Sequence, residues 1–235
     1  EPLDLFFSGG INSQVILRTY LDLGIPINVY IARYENKYNI HDVFTAVKIC
    51  EELNVKHTII DFNLGYSKNT GMVTVPVHSP DGMPIGIVGR SIEGKAFKNS
   101  TNLPKSKTLF NIHRAKKIGD QVIVVESSFD AIRIHQAGFP NVVATLGGFL
   151  STEQHNLLNR HFNKITIMTD NDVAGRELGY SIANKLKFKD LLWASYEYGK
   201  IYPHGAKDAG DLTDEEIKAC IKNSVSDMEY RSWNS

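Results

Sequence analysis

Two rhythms of apolar residues alternate along this chain, and together they predict its elements. "LDLFFSGG" is a short apolar run entering a glycine turn, as a buried strand does. "NSQVILRTYLDLG" then spaces its apolar residues for a helix that stops at Gly24, and "INVYIARY" reads as a second strand. "IHDVFTAVKICEELNV" repeats the helical spacing through Val43, Ala46, Val47, Cys50 and Leu53, and "KHTIIDF" closes a third strand. Residues 3–62 thus predict a β-α-β-α-β unit, with a parallel sheet and crossover helices.

The pattern changes at the polar, turn-rich "NLGYSKNTG", which places a boundary near residues 64–71. "MVTVPVHSPDGMPIGIVGRSI" has two alternating runs around Ser79-Pro80-Asp81-Gly82, the pattern of a hairpin. "EGKAFKNSTNLPKSKTLFN" lacks periodicity and is rich in lysine, which predicts an exposed loop. From residue 121 strands and helices alternate again: "QVIVVE", "SFDAIRIHQAGF", "NVVATLG", "STEQHNLLNRHF", "KITIMTD", "DVAGRELGYSIANKL" and "LLWASYEY". "STEQ" offers a capping box, and after "GKIYPHGAKDAGD" comes a last helix, "LTDEEIKACIKNSV". The expected segments are 1–64, 72–120 and 121–235, all of the α/β class.

Composition changes this picture little, but charge does. Only Cys50 and Cys220 are present, so neither a disulfide framework nor a zinc ribbon is expected. No membrane span or leader is expected, and a reducing, cytoplasmic setting is the default. Without an initiator Met, the sequence is expected to be part of a longer chain. The net charge of zero hides an uneven distribution. Residues 1–70 hold 6 Lys/Arg against 8 Asp/Glu, residues 71–120 hold 8 against 3, and residues 121–235 hold 12 against 15. A basic middle beside acidic flanks is suited to phosphate groups, which bind local patches rather than global charge.

Carboxylates terminate the later strands. Glu126 ends "QVIVVE", Asp170 and Asp172 follow "KITIMT", and Asp208 and Asp211 lie in the loop after "LLWASYEY". In parallel α/β sheets, ligands bind outside the carboxyl ends of the strands. If these strands are neighbours, the carboxylates share a volume that needs a cation, and an all-oxygen set favours Mg²⁺ or Mn²⁺. Helix capping is the alternative for Asp172, and solvated surface charge the alternative for any one of the others.

"VVESSFDAIRIHQAGFPNVVATLGGFLSTEQ" followed by "TDNDVAGREL" resembles the Toprim domain of bacterial and phage DNA primases. Upstream, "VTVPVHSPDGMPIGIVGRSI", "FKNS" and "LFNIHRAKK" are similar to the stretch preceding Toprim in the primase catalytic core, and "PHGAKDAGDLTDEEI" resembles the loop that follows it. The resemblance spans about residues 72–220 and implies a Toprim-type, Rossmann-like parallel sheet behind a small basic hairpin segment. It implies that Glu126, Asp170 and Asp172 are catalytic and that Glu126, Asp130, Asp170, Asp172, Asp208 and Asp211 bind metal. Ser127 stands where Gly is usual, Gly148 where Thr is common, and one extra residue separates Asp208 from Asp211.

The implied activity is synthesis of short RNA primers on single-stranded DNA from NTPs with Mg²⁺ or Mn²⁺, alongside a replicative helicase. Arg90, Lys95, Lys98, Lys105, Lys107, Arg114, Lys116 and Lys117 would contact template or nucleotide phosphates. His113 is a further candidate for phosphate, whereas His135 and His155 read as packing or surface residues on helices. A Toprim nuclease and a non-catalytic nucleotide- or nucleic-acid-binding module are the competing readings. The primase-like blocks over 72–117 weigh against the nuclease.

Near the N-terminus, "FFSGGINS" resembles the pyrophosphate loop of the ATP pyrophosphatases that include asparagine synthetase and tRNA-thiolating enzymes. That resemblance implies ATP at Ser8, Gly9, Gly10 and Ser13, where backbone N–H groups and a helix N-terminus favour an anion. Asn12 replaces the usual Asp, and the 3–62 unit is short for a domain of that family. A tight turn that needs glycine for steric reasons is the simpler alternative.

Overall fold

A computed structural model describes residues 2–32, 40–60, 64–67, 69–92, 94, 96–194 and 205–233. The chain divides into two compact units, Glu1–Pro76 with Gly89–Phe97, and Val77–Val88 with Lys98–Ser235.

The first unit contains the predicted β-α-β-α-β arrangement. Its strands are β1 (Leu3–Phe6), β2 (Ile27–Ala32) and β3 (His57–Ile60), joined by helices α1 (Ile11–Asp22) and α2 (Ile40–Glu52). The sheet has the order β1-β2-β3 and is parallel, with Leu3 opposite Ile27 and Val29 opposite His57. Phe7, Leu17, Val29, Ile31, Val43, Ala46, Ile49 and Cys50 form its core. Gly24, at φ 66°, ends the first helical segment in a left-handed conformation that glycine tolerates.

A four-stranded sheet follows in the order β4 (Gly65–Ser67), β5 (Met72–His78), β6 (Pro84–Ser91) and β7 (Phe97–Asn99). The expected hairpin is there, closed by the Ser79 N–H donating to the Met83 carbonyl at 2.8 Å. The lysine-rich stretch after it departs from the expected exposed loop. It contains β7 and a 3₁₀ turn at Lys105–Lys107 and buries Leu109 and Phe110, and helix α3 (Ile112–Ala115), directly after it, buries Ile112 and Ala115. Its few apolar residues are too short a run to show periodicity, yet they complete the second unit's core. Composition therefore divides the chain into three segments, whereas packing divides it into two units.

The second unit is built on a five-stranded sheet. Its elements are β8 (Gln121–Val125), α4 (Ser128–Gln136), β9 (Val142–Ala144), α5 (Thr152–His161), β10 (Lys164–Ile167), α6 (Val173–Lys185), β11 (Asp190–Trp193), α7 (Asp214–Lys222), β12 (Val225–Ser226) and α8 (Asp227–Trp233). The strand order is β12-β11-β10-β8-β9; all pairs are parallel except β11 with the short terminal β12. Val122 and Val124 face Leu158, Phe162, Leu178 and Ile182 in one core cluster. Ile123 and Val125 are buried on the other face of the sheet.

From β8 the chain moves one way to β9, then returns across β8 to β10. This reversal is a topological switch point, and right-handed crossovers place α4 and α6 on opposite faces of the sheet. The crevice between the carboxyl ends of β8 and β10 is where this architecture binds ligands. Val124 lies opposite Ile167, so Glu126 and Asp170 leave neighbouring strands at nearly the same level.

Candidate active site at the carboxyl edge of the sheet

Five of the six expected metal ligands gather at this crevice. Burial first, then Asp130, Glu126, Asp208 and Asp172 in decreasing order, push the Asp170 carboxyl up to about 7. Glu126 is also raised, by burial and then by Asp172, with partial relief from Lys207. These shifts mark a cluster of like charges with too little compensation, the arrangement expected where a cation belongs. The donors are all oxygen, which fits a hard divalent ion such as Mg²⁺ or Mn²⁺ and fits zinc poorly. Among the described residues, however, no three His, Cys, Asp or Glu side chains stand close enough to clamp one ion. The acids surround the crevice without converging on a common point.

Asp172 takes the capping role and keeps its second oxygen toward the crevice. Its Oδ1 accepts from the Gly175 N–H at 2.8 Å, capping α6. Its Oδ2 lies 3.1 Å from the Lys207 ammonium. The Gly175 bond first, then Lys207, hold its carboxyl below the usual range. Asp130 is only 6% exposed and accepts from the Ser127 hydroxyl at 2.5 Å, while the Asp130 N–H donates back to Ser127 Oγ. The serine in place of glycine thus caps α4 and holds the Asp130 carboxylate. Asp208 accepts from the Gly210 N–H at 2.9 Å, and Asp211 accepts from the Lys207 N–H at 2.9 Å. Asp211 therefore acts on the loop's backbone.

Two residues not anticipated from the sequence, Asn171 and Arg133, and one anticipated only as a capping residue, Gln154, hold the loops together. Asn171, between the paired aspartates, donates its N–H to the Lys207 carbonyl at 2.7 Å and its side-chain amide to the Ala206 carbonyl at 3.2 Å. Arg133 donates from Nε and Nη2 to the Leu212 carbonyl and from Nη1 to Asp214, tying the Asp208–Asp211 loop to α4. Gln154, 1% exposed, donates to the carbonyls of Lys105, Thr108 and Thr145 and accepts from the Ser151 N–H. The capping box at Ser151 is present as predicted, and its buried Gln154 also fixes the basic segment to the sheet.

That anchor places Lys105. Its ammonium lies beside Gly147, where an added Cβ would be 3.6 Å away, and a Cβ on Gly148 would meet Glu126 Oε1 at 3.8 Å. The two glycines separate the cation from the carboxylate by a strip of bare backbone. Lys116, by contrast, acts on His161 at the end of α5, beside the amino end of β10; burial, then Lys116 and Arg160, lower that imidazole's pKa. Lys98, Lys107 and Lys117 are exposed, and Arg114 is half-buried. Arg90 lies in the first unit with its guanidinium 5.3 Å from the Phe97 ring centre, and Lys95 lies outside the described residues. His113 is buried, its ring 4.6 Å from that of His78, and His155 bonds the Lys185 carbonyl through Nε2. His135 is half-buried on α4.

In the first unit, the Ser8 and Ser13 hydroxyls lie 3.1 Å apart, and Ser13 donates to the Gly10 carbonyl at 2.9 Å. Gln14 donates to the Gly9 carbonyl at 2.7 Å, and Gly9 adopts φ 77°. This turn is closed by its own side chains.

Thr169, Asp170, Asn171, Arg176, Trp193 and Tyr230 border a cavity of about 20 Å³, room for a single water. Trp193 stacks on Tyr230 with centroids 3.9 Å apart, and its indole N–H donates to Asp227 at 2.8 Å. The terminal helix α8 thereby seals the core beneath Asp170. Among the described residues no helix is long and apolar enough to cross a membrane.

Comparisons with known proteins agree with this geometry. Residues 120–192 match the Toprim domain family. The chain is 33% identical over 182 residues to the DNA primase of Clostridium acetobutylicum, covering 71% of this chain and 29% of that protein. It is 36% identical over 165 residues to the DNA primase of Aquifex aeolicus, covering 65% of this chain and 32% of that one. The chain thus spans about a third of the length of these relatives. The crystal structure of the Aquifex aeolicus primase, with its zinc-binding and RNA polymerase domains, superposes with a TM-score of 0.57 at 26% identity, over 83% of this chain and 50% of that one. The strand-end carboxylates, the switch-point crevice and these matches lead to one conclusion: residues 120–192 form a Toprim-type domain, set within a longer stretch similar to bacterial DNA primases.

Proposed function

We propose that this chain is the catalytic part of a DNA primase, joining ribonucleotides on a single-stranded DNA template. The observation that carries the reading is the gathering of Glu126, Asp130, Asp170, Asp172 and Asp208 at the β8–β10 switch point, with Lys105 across a glycine strip. In the reaction, the 3′-hydroxyl of one nucleotide attacks the α-phosphate of the next, and pyrophosphate leaves. Glu126, Asp170, Asp172 and Asp208 would hold Mg²⁺ or Mn²⁺, which neutralises the triphosphate and favours in-line attack.

The rest of the work falls to the chain itself. Asp170, costly to ionise without a cation, is poised to take one. Glu126 either accepts the proton of the attacking hydroxyl or serves as a further ligand. Lys105 faces the phosphates of the incoming nucleotide, and Lys98, Lys107, Arg114, Lys116 and Lys117 supply sequence-independent contacts to the template. A replicative helicase as partner and a cytoplasmic setting follow from this assignment. ATP at the Ser8–Ser13 turn is not part of it. Incubation with Mn²⁺, single-stranded DNA and NTPs is expected to yield short oligoribonucleotides, and Asp170→Ala to abolish them. Undiminished synthesis by that variant, or strand cleavage in place of synthesis, would overturn the proposal.

A further inference from the structure

The carboxylate cluster already contains one cation. The Lys207 ammonium sits 3.1 Å from Asp172 Oδ2, and its charge also acts on Glu126, Asp170 and Asp208. Its position is built rather than incidental, because the backbone is held on both sides. The Lys207 N–H is bound by Asp211 and the Lys207 carbonyl by Asn171, so the side chain leaves from the rim of the crevice. The side chain itself is 55% exposed, so it can leave without disturbing the core.

Asp172 has two oxygens. Gly175 takes Oδ1 as the cap of α6, a bond that the helix needs in any state. Oδ2, the oxygen outside the cap, is the one more open to a metal, and Lys207 lies against it. A divalent ion at Asp172 therefore competes with the ammonium, since two cations on one carboxylate oxygen repel each other.

We propose that Lys207 is a placeholder cation. It neutralises Asp172 while the crevice lacks a divalent ion, and it competes with that ion for Oδ2. Lys207 is thus a positioning residue that weakens metal affinity in exchange for a metal-free site that repels itself less. This inference rests on the reading of the crevice as a metal site, and it adds to that reading a residue that opposes the metal.

Mn²⁺ binding, followed by calorimetry and by the loss of the free-ion electron paramagnetic resonance signal without nucleotide or DNA, tests it. Lys207→Met is expected to bind Mn²⁺ about two- to fivefold more tightly than the parent, the range set by releasing one partly exposed ion pair. The same variant, free of metal, is expected to melt at a lower temperature and to recover fully with Mn²⁺. Lys207→Arg, which keeps the charge, is expected to bind as the parent does. Equal or weaker binding by Lys207→Met, with the parent binding normally, overturns the placeholder role and leaves the metal site standing. No Mn²⁺ binding by either protein overturns the metal-site reading itself, and the placeholder with it.

Discussion

Gly175 lies directly against the backbone of Asp170: a Cβ added to the glycine would overlap the aspartate's carbonyl oxygen. The first turn of α6 thus folds back onto the segment that presents Asp170, and only glycine permits the approach. Gly175→Ala is expected to lose about 1–3 kcal/mol of stability in urea unfolding, the usual range for overfilling a packed site. Because the clash falls on Asp170 itself, Mn²⁺ affinity should fall by more than global unfolding explains. A variant with native stability and native affinity would show that the helix can shift freely.

The Asp170 carboxyl, raised to about 7, gives the metal-free protein a pH signature. The folded chain holds this proton more tightly than the unfolded chain, whose carboxyl titrates near 3.8. The associated stability is therefore full below that lower value and is lost as pH rises through about 7. Thermal melts of metal-free protein should show a steeper decline over this window than melts of Asp170→Asn. Saturating Mg²⁺ should flatten the parent's curve toward that of the variant. Parallel curves without metal would rule out Asp170 as the strained acid.

Gln154 offers a third test, because its amide serves three carbonyls and one N–H in a dry setting. Gln154→Leu fills the space and removes every partner. An expected loss of about 2–4 kcal/mol reflects buried polar groups left unmet. Primer synthesis should fall further than folding alone predicts, since Lys105 loses the anchor that holds it beside Gly147. Gln154→Glu, which loses two N–H donors and brings a charge into the core, should fare no better.

The sequence reveals the second unit more fully than the first sheet's surroundings. From β8 to α6, strand runs of four to five buried residues alternate with capped helices, and each period is long enough to read. The carboxylates at strand ends are legible for the same reason, since topology fixes where a parallel strand delivers its last residue. Lys207 is not legible. Its role depends on a hydrogen bond from Asn171, 36 positions earlier, that folds one loop onto another. Gln154 announces itself only as half of a capping box, while its larger task, fixing Lys105, links residues with no shared periodicity. The two-residue β12 and the helix after it are too short to leave a pattern.

The stacked pair of Trp193 and Tyr230 has a practical consequence. Trp193 is 4% exposed and shares the walls of the water-sized cavity with Asp170, whereas the chain's other indole, Trp233, is half exposed. Ultraviolet emission from the sheltered ring therefore originates a few atoms from the acid most sensitive to an arriving ion. If the crevice takes a divalent ion as proposed, this emission would serve as an optical gauge of its arrival, with no dye, label or substrate.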